Sequence, residues 1–152
     1  MRSPAELTQA FRERGLKVTP QRQCIFGILH ENEAHPTAES VYSAAVSQMP
    51  TISLRTVYQT LNDLAEMGEI HSLDVGTGSS RFDPNLEEHQ HLVCDVCGRV
   101  RDIVVEVPAT LASSAFDGFV VDEVQLVLRG RCADCQSRSA PNPPSEGALR
   151  HV

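Results

Sequence analysis

The sequence predicts an α+β chain, with an N-terminal winged helix-turn-helix domain followed by a small C-terminal α/β domain built around a structural zinc site. Three observations carry this reading. The first half runs through capped helical patterns and closes on a Gly-Thr-Gly hairpin, the character turns strand-like from Pro84, and two Cys-x-x-Cys pairs stand in the second half. The expected boundaries are 1–83 for the first domain, 84–136 for the second and 137–152 for a disordered tail.

The first half reads as short helices. In GLKVTPQRQCIFGILHENEA, Thr19 is a good N-cap, Pro20 suits the first helical turn, and Cys24, Ile25, Ile28 and Leu29 form an apolar stripe. That stripe puts Cys24 in a core. In HPTAESVYSAAV, Pro36 and Thr37 mark a second start, and Val41, Tyr42 and Ala45 supply the inner face, with His35 just ahead of the helix. The clearest helix is LRTVYQTLNDLAEMG. Ser53 caps it, Leu54, Val57, Tyr58, Leu61, Leu64 and Ala65 recur at helical spacing, and Gly68 ends it. Arg55, Gln59 and Asn62 share another of its faces.

EIHSLDVGTGSSRFD then predicts two short strands around a tight turn. Beyond Pro84, HLVCDVCGRVRDIVVEV and FVVDEVQLVLRGRC are strand-like, with PATLASSAF a short helix between them. QSRSAPNPPSEGALRHV is too poor in apolar residues to fold and reads as a tail. There is no internal repeat.

Two domains drawn from 152 residues each have a thin hydrophobic core. A net charge of −7 argues against a nonspecific nucleic-acid coat, yet Met1 to Arg22 holds five bases against two acids, enough for a local basic patch. The first residues lack the apolar segment of a signal peptide and no run is long enough to span a bilayer, so a soluble cytoplasmic protein with reduced cysteines is expected.

Of five cysteines, four form the pairs Cys94/Cys97 and Cys132/Cys135. In a reducing compartment this spacing favours metal over disulfide, because each Cys-x-x-Cys turn offers two thiolates from one tight loop and two turns complete a tetrahedral zinc shell. The 34 residues between the pairs are more than a simple zinc ribbon needs, but strands and a helix can bring the chain back. A thioredoxin-like redox pair leaves the second pair without a use. With all four positions filled by sulfur, the zinc is expected to be structural and to staple a small domain.

His89 and His91 are two apart, so on a strand both side chains point to one side, as chelation of one ion requires. An exposed polar strand end is the competing reading. Asp83 and Asp102 nearby favour metal, and imidazole with carboxylate suits Fe²⁺, Mn²⁺, Zn²⁺ or Ni²⁺. Groups from both sides of residue 84 in one site would couple metal to the angle between the domains.

LKVTPQR, HPTAESVY, SLRTVYQTLNDLAEMGEI, RFD, HQHLVCDVCGRV and CADC, in this order, resemble the ferric uptake regulator (Fur) family of bacterial metal-responsive repressors over about Leu7 to Cys135. The resemblance implies a homodimer with an N-terminal DNA reader, a C-terminal dimerisation and metal-binding domain carrying the four-cysteine zinc, and a regulatory Fe²⁺ or Mn²⁺ site at His35, Asp83, His89, His91 and Asp102. Iron sensors of the family usually carry glutamate at the two acidic positions. Aspartate at both is similar to the peroxide-sensing (PerR-like) branch, and by that resemblance His35 or His89 gains an oxygen when peroxide meets iron. Zinc sensors of the family usually bring a cysteine to the site, and nickel sensors are richer in histidine where this chain has Glu87. His71 keeps nickel or a further site open against a plain exposed strand residue, and His151 falls in the tail.

An operator-binding repressor would read double-stranded DNA with the third helix. Arg55 suits guanine and Gln59 adenine, while Thr56 and Tyr58 reach phosphates or thymine methyls, Tyr58 being equally suited to partial burial. Arg14, Lys17, Arg22 and Arg81 are the candidates for the DNA backbone, against a solvated charged face. The leading rival from another class is a zinc hydrolase or deaminase using His89 and His91. A nucleic-acid deaminase needs His-x-Glu and Pro-Cys-x-x-Cys, and neither occurs, since Val93 and Arg131 precede the cysteine pairs. The other rival is an interaction module whose only metal is structural.

Overall fold

A computed structural model of the chain describes residues 1–76, 78–106 and 125–139. Its elements are α1 Pro4–Glu13, α2 Pro20–Leu29, α3 Ala38–Gln48, α4 Leu54–Glu66, β1 His71–Leu73, β2 Arg81–Asp83, β3 Gln90–Cys94, β4 Val100–Ile103, β5 Val127–Gly130 and α5 Ala133–Ser139.

Each of the first four helices starts where a short hydroxyl side chain replaces a missing backbone partner. Ser3, Thr19, Thr37 and Ser53 accept from the N–H groups of Glu6, Arg22, Ser40 and Thr56. At Ser3 the exchange is mutual, because Glu6 Oε2 accepts from Ser3 N–H at 2.9 Å. The helices close on one core of Leu7, Phe11, Ile25, Phe26, Leu29, Val41, Val57, Leu61 and Leu64, with Phe11 and Phe26 edge to face at 4.9 Å.

That aromatic pair turns α2 away from the orientation expected of it. Ile25, Phe26 and Leu29 are buried, whereas Cys24 and Ile28 lie half-buried at the rim. Cys24 Sγ stands 3.8 Å from Gln48 Oε1 of α3, and partial burial pushes its thiol pKa up.

β1 and β2 form the expected antiparallel hairpin, with His71 opposite Asp83. The other edge of β2 is also used, since Arg81 bridges to Thr37 and Phe82 N–H donates to Pro36 O at 2.9 Å. The start of α3 and the hairpin are thereby one piece, which brings His35 beside Asp83.

The second sheet has the order β4-β3-β5, β3 being antiparallel to β4 and parallel to β5. Its register sets His91 against Asp102. Leu73 and Val75 of the hairpin segment pack with Val93 and Val100 of this sheet, so the hairpin belongs to both cores. Arg129 of β5 holds Asp95 at 2.8 Å and also reaches Val75 O. Gly76, at φ +66°, leaves room for this, since a Cβ there would lie 2.7 Å from Arg129 Nη2.

α5 runs on to Ser139, past the point where the tail was expected to begin. PATLASSAF, the first part of FVVDEVQLVLRGRC and the rest of the tail lie outside the described residues. Among the described residues no helix is long and apolar enough to cross a membrane.

Candidate metal centres

The turn after β3 folds Cys94 and Cys97 together. Gly98, at φ +69°, donates to Cys94 O at 2.8 Å, and Cys94 N–H donates to Arg99 O at 2.9 Å. Cys132 stands just before α5 and Cys135 in its first turn, with Cys135 N–H on Cys132 O at 3.0 Å. β3 and β5 are parallel neighbours, so their C-terminal ends deliver the two pairs to one place. The four Sγ atoms lie within 4.8 Å of one another, with Cys97 and Cys132 at 3.8 Å. The N–H of Cys132 on the Cys94 sulfur, at 3.4 Å, leads the hydrogen bonds that bring the Cys94 thiol down to about 6. Cys135, hydrogen-bonded first to Cys132, is pushed up to about 12. One thiol is ready to lose its proton and another keeps it, so binding of Zn²⁺ here would expel protons.

The second cluster is made from both domains. His35 comes from the loop before α3, Asp83 from the end of β2, His89 from the residue before β3, His91 from β3 and Asp102 from β4. One ligand atom from each of the five lies within 4.8 Å of all the others. Asp83 Oδ2 stands 2.9 Å from His89 Nε2 and 3.3 Å from His91 Nε2, while Asp102 Oδ1 stands 2.7 Å from His35 Nε2. His89 Nε2 and His91 Nε2 face each other at 3.0 Å.

The donor chemistry fits a divalent cation. His35 Nδ1 is on Glu33 O at 3.1 Å and His89 Nδ1 on Glu87 O at 2.7 Å, which commits the Nδ1 protons outward and turns the Nε2 lone pairs inward. The buried His35 Nε2 has no hydrogen-bond partner despite its nearness to Asp102. Lone pairs converging on carboxylate oxygens are satisfied by a cation at their centre. His35 itself has φ +48°, a backbone conformation unfavourable to histidine that aims its ring into the cluster.

The electrostatics agree. Burial opposes ionisation of Asp83, but the nearby imidazole of His35, 3.6 Å away, the hydrogen bond from Asn85 N–H and the charge of His89 outweigh it and hold the carboxyl at about 2. Burial lowers the pKa of His35 and of His91. At His35 the Asp83 and Asp102 carboxylates reverse the effect, whereas at His91 Asp83 does not overcome burial together with the charges of His89 and His35. Asp102 is the most open of the five, its side chain 30% exposed at a cleft of about 950 Å³ that Glu31, Glu33, Asp83 and Asn85 also line.

The candidate DNA contacts divide. Arg55 and Gln59 are exposed together on α4, as are Arg14 and Lys17 beyond α1, and Thr56 is half-buried against Ser53 Oγ at 2.9 Å. Tyr58 is 40% exposed, so it lies outside the core, and its hydroxyl donates to Glu39 of α3 at 2.6 Å. Arg22 is turned inward, with Nη2 2.5 Å from Asp63 Oδ2 and its guanidinium over the Phe11 ring at 5.1 Å. Arg81 spans the two clusters, donating to His35 O at 3.1 Å and to Gly98 O at 2.8 Å. Sequence reasoning offered both arginines to phosphate, because their partners are distant in the chain. It also passed over Asn85, which touches both carboxylates. His71 is exposed on β1 and belongs to neither metal group found among the described residues.

A winged helix-turn-helix joined to a domain with a four-sulfur cluster, with candidate metal ligands drawn from both, is the architecture of a metal-responsive DNA-binding regulator. The profile of the Ferric uptake regulator family matches residues 13–129, and the chain belongs to that family. It is 34% identical over 136 residues to the peroxide-responsive repressor PerR of Staphylococcus aureus Mu50, covering 88% of this chain and 91% of the relative. The Vibrio cholerae ferric uptake regulator superposes with a TM-score of 0.69 at 30% identity, covering 83% of this chain and 99% of that one. PerR of Streptococcus pyogenes, solved for its peroxide sensing and gene regulation, gives a TM-score of 0.52 at 25% identity and covers 90% of this chain and 95% of its own.

Proposed function

We propose that this chain is a cytoplasmic homodimeric repressor that binds operator DNA when Fe²⁺ or Mn²⁺ occupies His35, Asp83, His89, His91 and Asp102, and that releases it when peroxide oxidises His35 or His89. The observation that carries the reading is the origin of the five ligands, two from the domain ending at Asp83 and three from the next. A cation held by all five has a higher affinity for the arrangement in which the domains meet, and by linkage that arrangement gains population. Cys94, Cys97, Cys132 and Cys135 hold a separate structural Zn²⁺.

Arg55 and Gln59 lie free on α4 for the major groove, with Thr56 beside them and Arg14 and Lys17 for phosphates. Tyr58 reaches DNA only by exchanging Glu39. Arg22 and Arg81, held on Asp63 and on two backbone carbonyls, are assigned to the fold. Leu92, Leu126 and Leu128 are exposed side by side on β3 and at β5, a surface suited to a second copy of the chain.

Fe²⁺ held by these five residues would supply the electrons that activate peroxide, which Mn²⁺ would do far less readily. The net change at His35 or His89 would be one peroxide oxygen inserted into an imidazole C–H bond and the other released as water, at the cost of a ligand. Aspartate at 83 and 102 and the 34% identical relatives favour peroxide over plain iron uptake control. Mass spectrometry of the peptides containing His35 and His89, after peroxide treatment of the Fe²⁺ and Mn²⁺ forms, tests this. A one-oxygen gain with iron only is expected, and no gain with iron would return the chain to an iron- or nickel-responsive uptake regulator.

A further inference from the structure

Both carboxylates of the five-ligand cluster are held by a residue outside it. Asn85 N–H donates to Asp83 Oδ1 at 2.8 Å, and the Asn85 side-chain amide donates to Asp102 Oδ2 at 3.0 Å. The other two oxygens, Asp83 Oδ2 and Asp102 Oδ1, are the ones that face the imidazoles. Each carboxylate therefore spends one oxygen on Asn85 and turns one inward.

The side chain of Asn85 is fixed at both ends. Its Oδ1 accepts from Glu87 N–H at 3.1 Å, which settles which end of the amide faces Asp102. Glu87 O in turn lies 2.7 Å from His89 Nδ1. The turn from Asp83 to His89 thus aims three of the five ligands. Asp83 is 2% exposed and has little room to rotate, whereas Asp102 is 30% exposed on β4, so the amide matters most there.

We infer that Asn85 is a positioning residue that limits Asp83 and Asp102 to one oxygen each toward the cation, leaving a coordination position open. The inference rests on the metal-regulated reading above. Without the Asn85 amide, Asp102 Oδ2 would be free to turn toward a bound cation and take up that position, which makes Asn85 a determinant of peroxide reactivity as well as of affinity.

The test uses the zinc-loaded full chain, with Mn²⁺ titrated into wild type, Asn85→Ala, Asn85→Leu, Asp102→Ala and the Asn85→Ala/Asp102→Ala double variant. Zinc content and thermal melting report folding, and the leucine variant keeps the bulk of the side chain. Expected are a rise in Mn²⁺ Kd of about 10-fold for Asn85→Ala, no added effect in the Asp102→Ala background, and infrared carboxylate bands that shift from one-oxygen to two-oxygen binding. Wild-type Kd and bands in both Asn85 variants overturn the inference alone. So does an Asn85→Ala effect of undiminished size without Asp102, which places its action in the Glu87 turn. A wild type that binds no Mn²⁺ at these residues overturns the metal-regulated reading and this inference with it.

Discussion

The two domains are held together by different physics. The helical domain closes on a contiguous apolar core in which Leu7, Phe11, Ile25, Phe26, Leu29, Val57, Leu61 and Leu64 are fully buried. In the second sheet the described core is Val93 and Val100, and it borrows Leu73 and Val75 from the hairpin. The four sulfurs stand where further apolar side chains would otherwise be needed. The first domain folds by burial, and the second carries a four-sulfur cluster fit for a metal and leans on the first.

Removal of the staple is the harshest way to break this comparison. Cys94→Ser with Cys132→Ser should lose the bound zinc and, with it, amide-exchange protection across β3, β4 and β5, since structural zinc in small peptides contributes about 10–16 kcal/mol. α1 to α4 should keep their protection. Loss of both sets together would mean that the domains are a single folding unit.

Leu61→Ala attacks the other side and should destabilise the helical domain by about 2–5 kcal/mol in urea unfolding, through lost burial and the cavity left behind. Bound zinc should stay unchanged. Next in size is Arg22→Ala, which leaves Asp63 unpaired and uncovers Phe11, for a loss of about 2 kcal/mol. It should leave the salt dependence of DNA affinity as it is, while Arg14→Ala should lower that slope by about one phosphate contact. The reverse pattern would move Arg22 from the fold to the interface.

The smallest effect concerns the seam, in metal-free protein. The Asp83 carboxyl is held at about 2 in the folded state, below its ordinary value of 3.8. A depressed carboxyl contributes its stability in full above about pH 4 and loses it as pH falls toward 2. Asp83→Asn should therefore flatten the acid limb of a stability-against-pH curve by roughly 2 kcal/mol or less. An unchanged limb would show that the imidazoles do not hold Asp83 in solution.

Much of this architecture was legible because it is local. Ser53 before Leu54, Thr37 after Pro36 and the Cys-x-x-Cys pairs each act within a few residues of themselves. The His-x-His of one strand and the likeness of RFD and HPTAESVY to a known family pointed to the five-residue cluster, though geometry alone left it open. What misled was charge and stripe reading at single positions. Cys24 sits on a helical stripe but at the rim, because Phe11 claims Phe26 from the neighbouring face. Arg22 and Arg81 look like phosphate ligands until Asp63, His35 and Gly98 come into view.

The sequence by itself determined the helices and strands of the described residues, the four-cysteine spacing and the family likeness, because capping, periodicity and motif spacing are fixed within short stretches of chain. Only the tertiary structure decided what Arg22, Arg81 and Asn85 do. A polar group answers to whatever stands within about 3 Å of it. For these residues those neighbours include Asp63, His35, Gly98 and Asp102, which the chain brings up from far along its length.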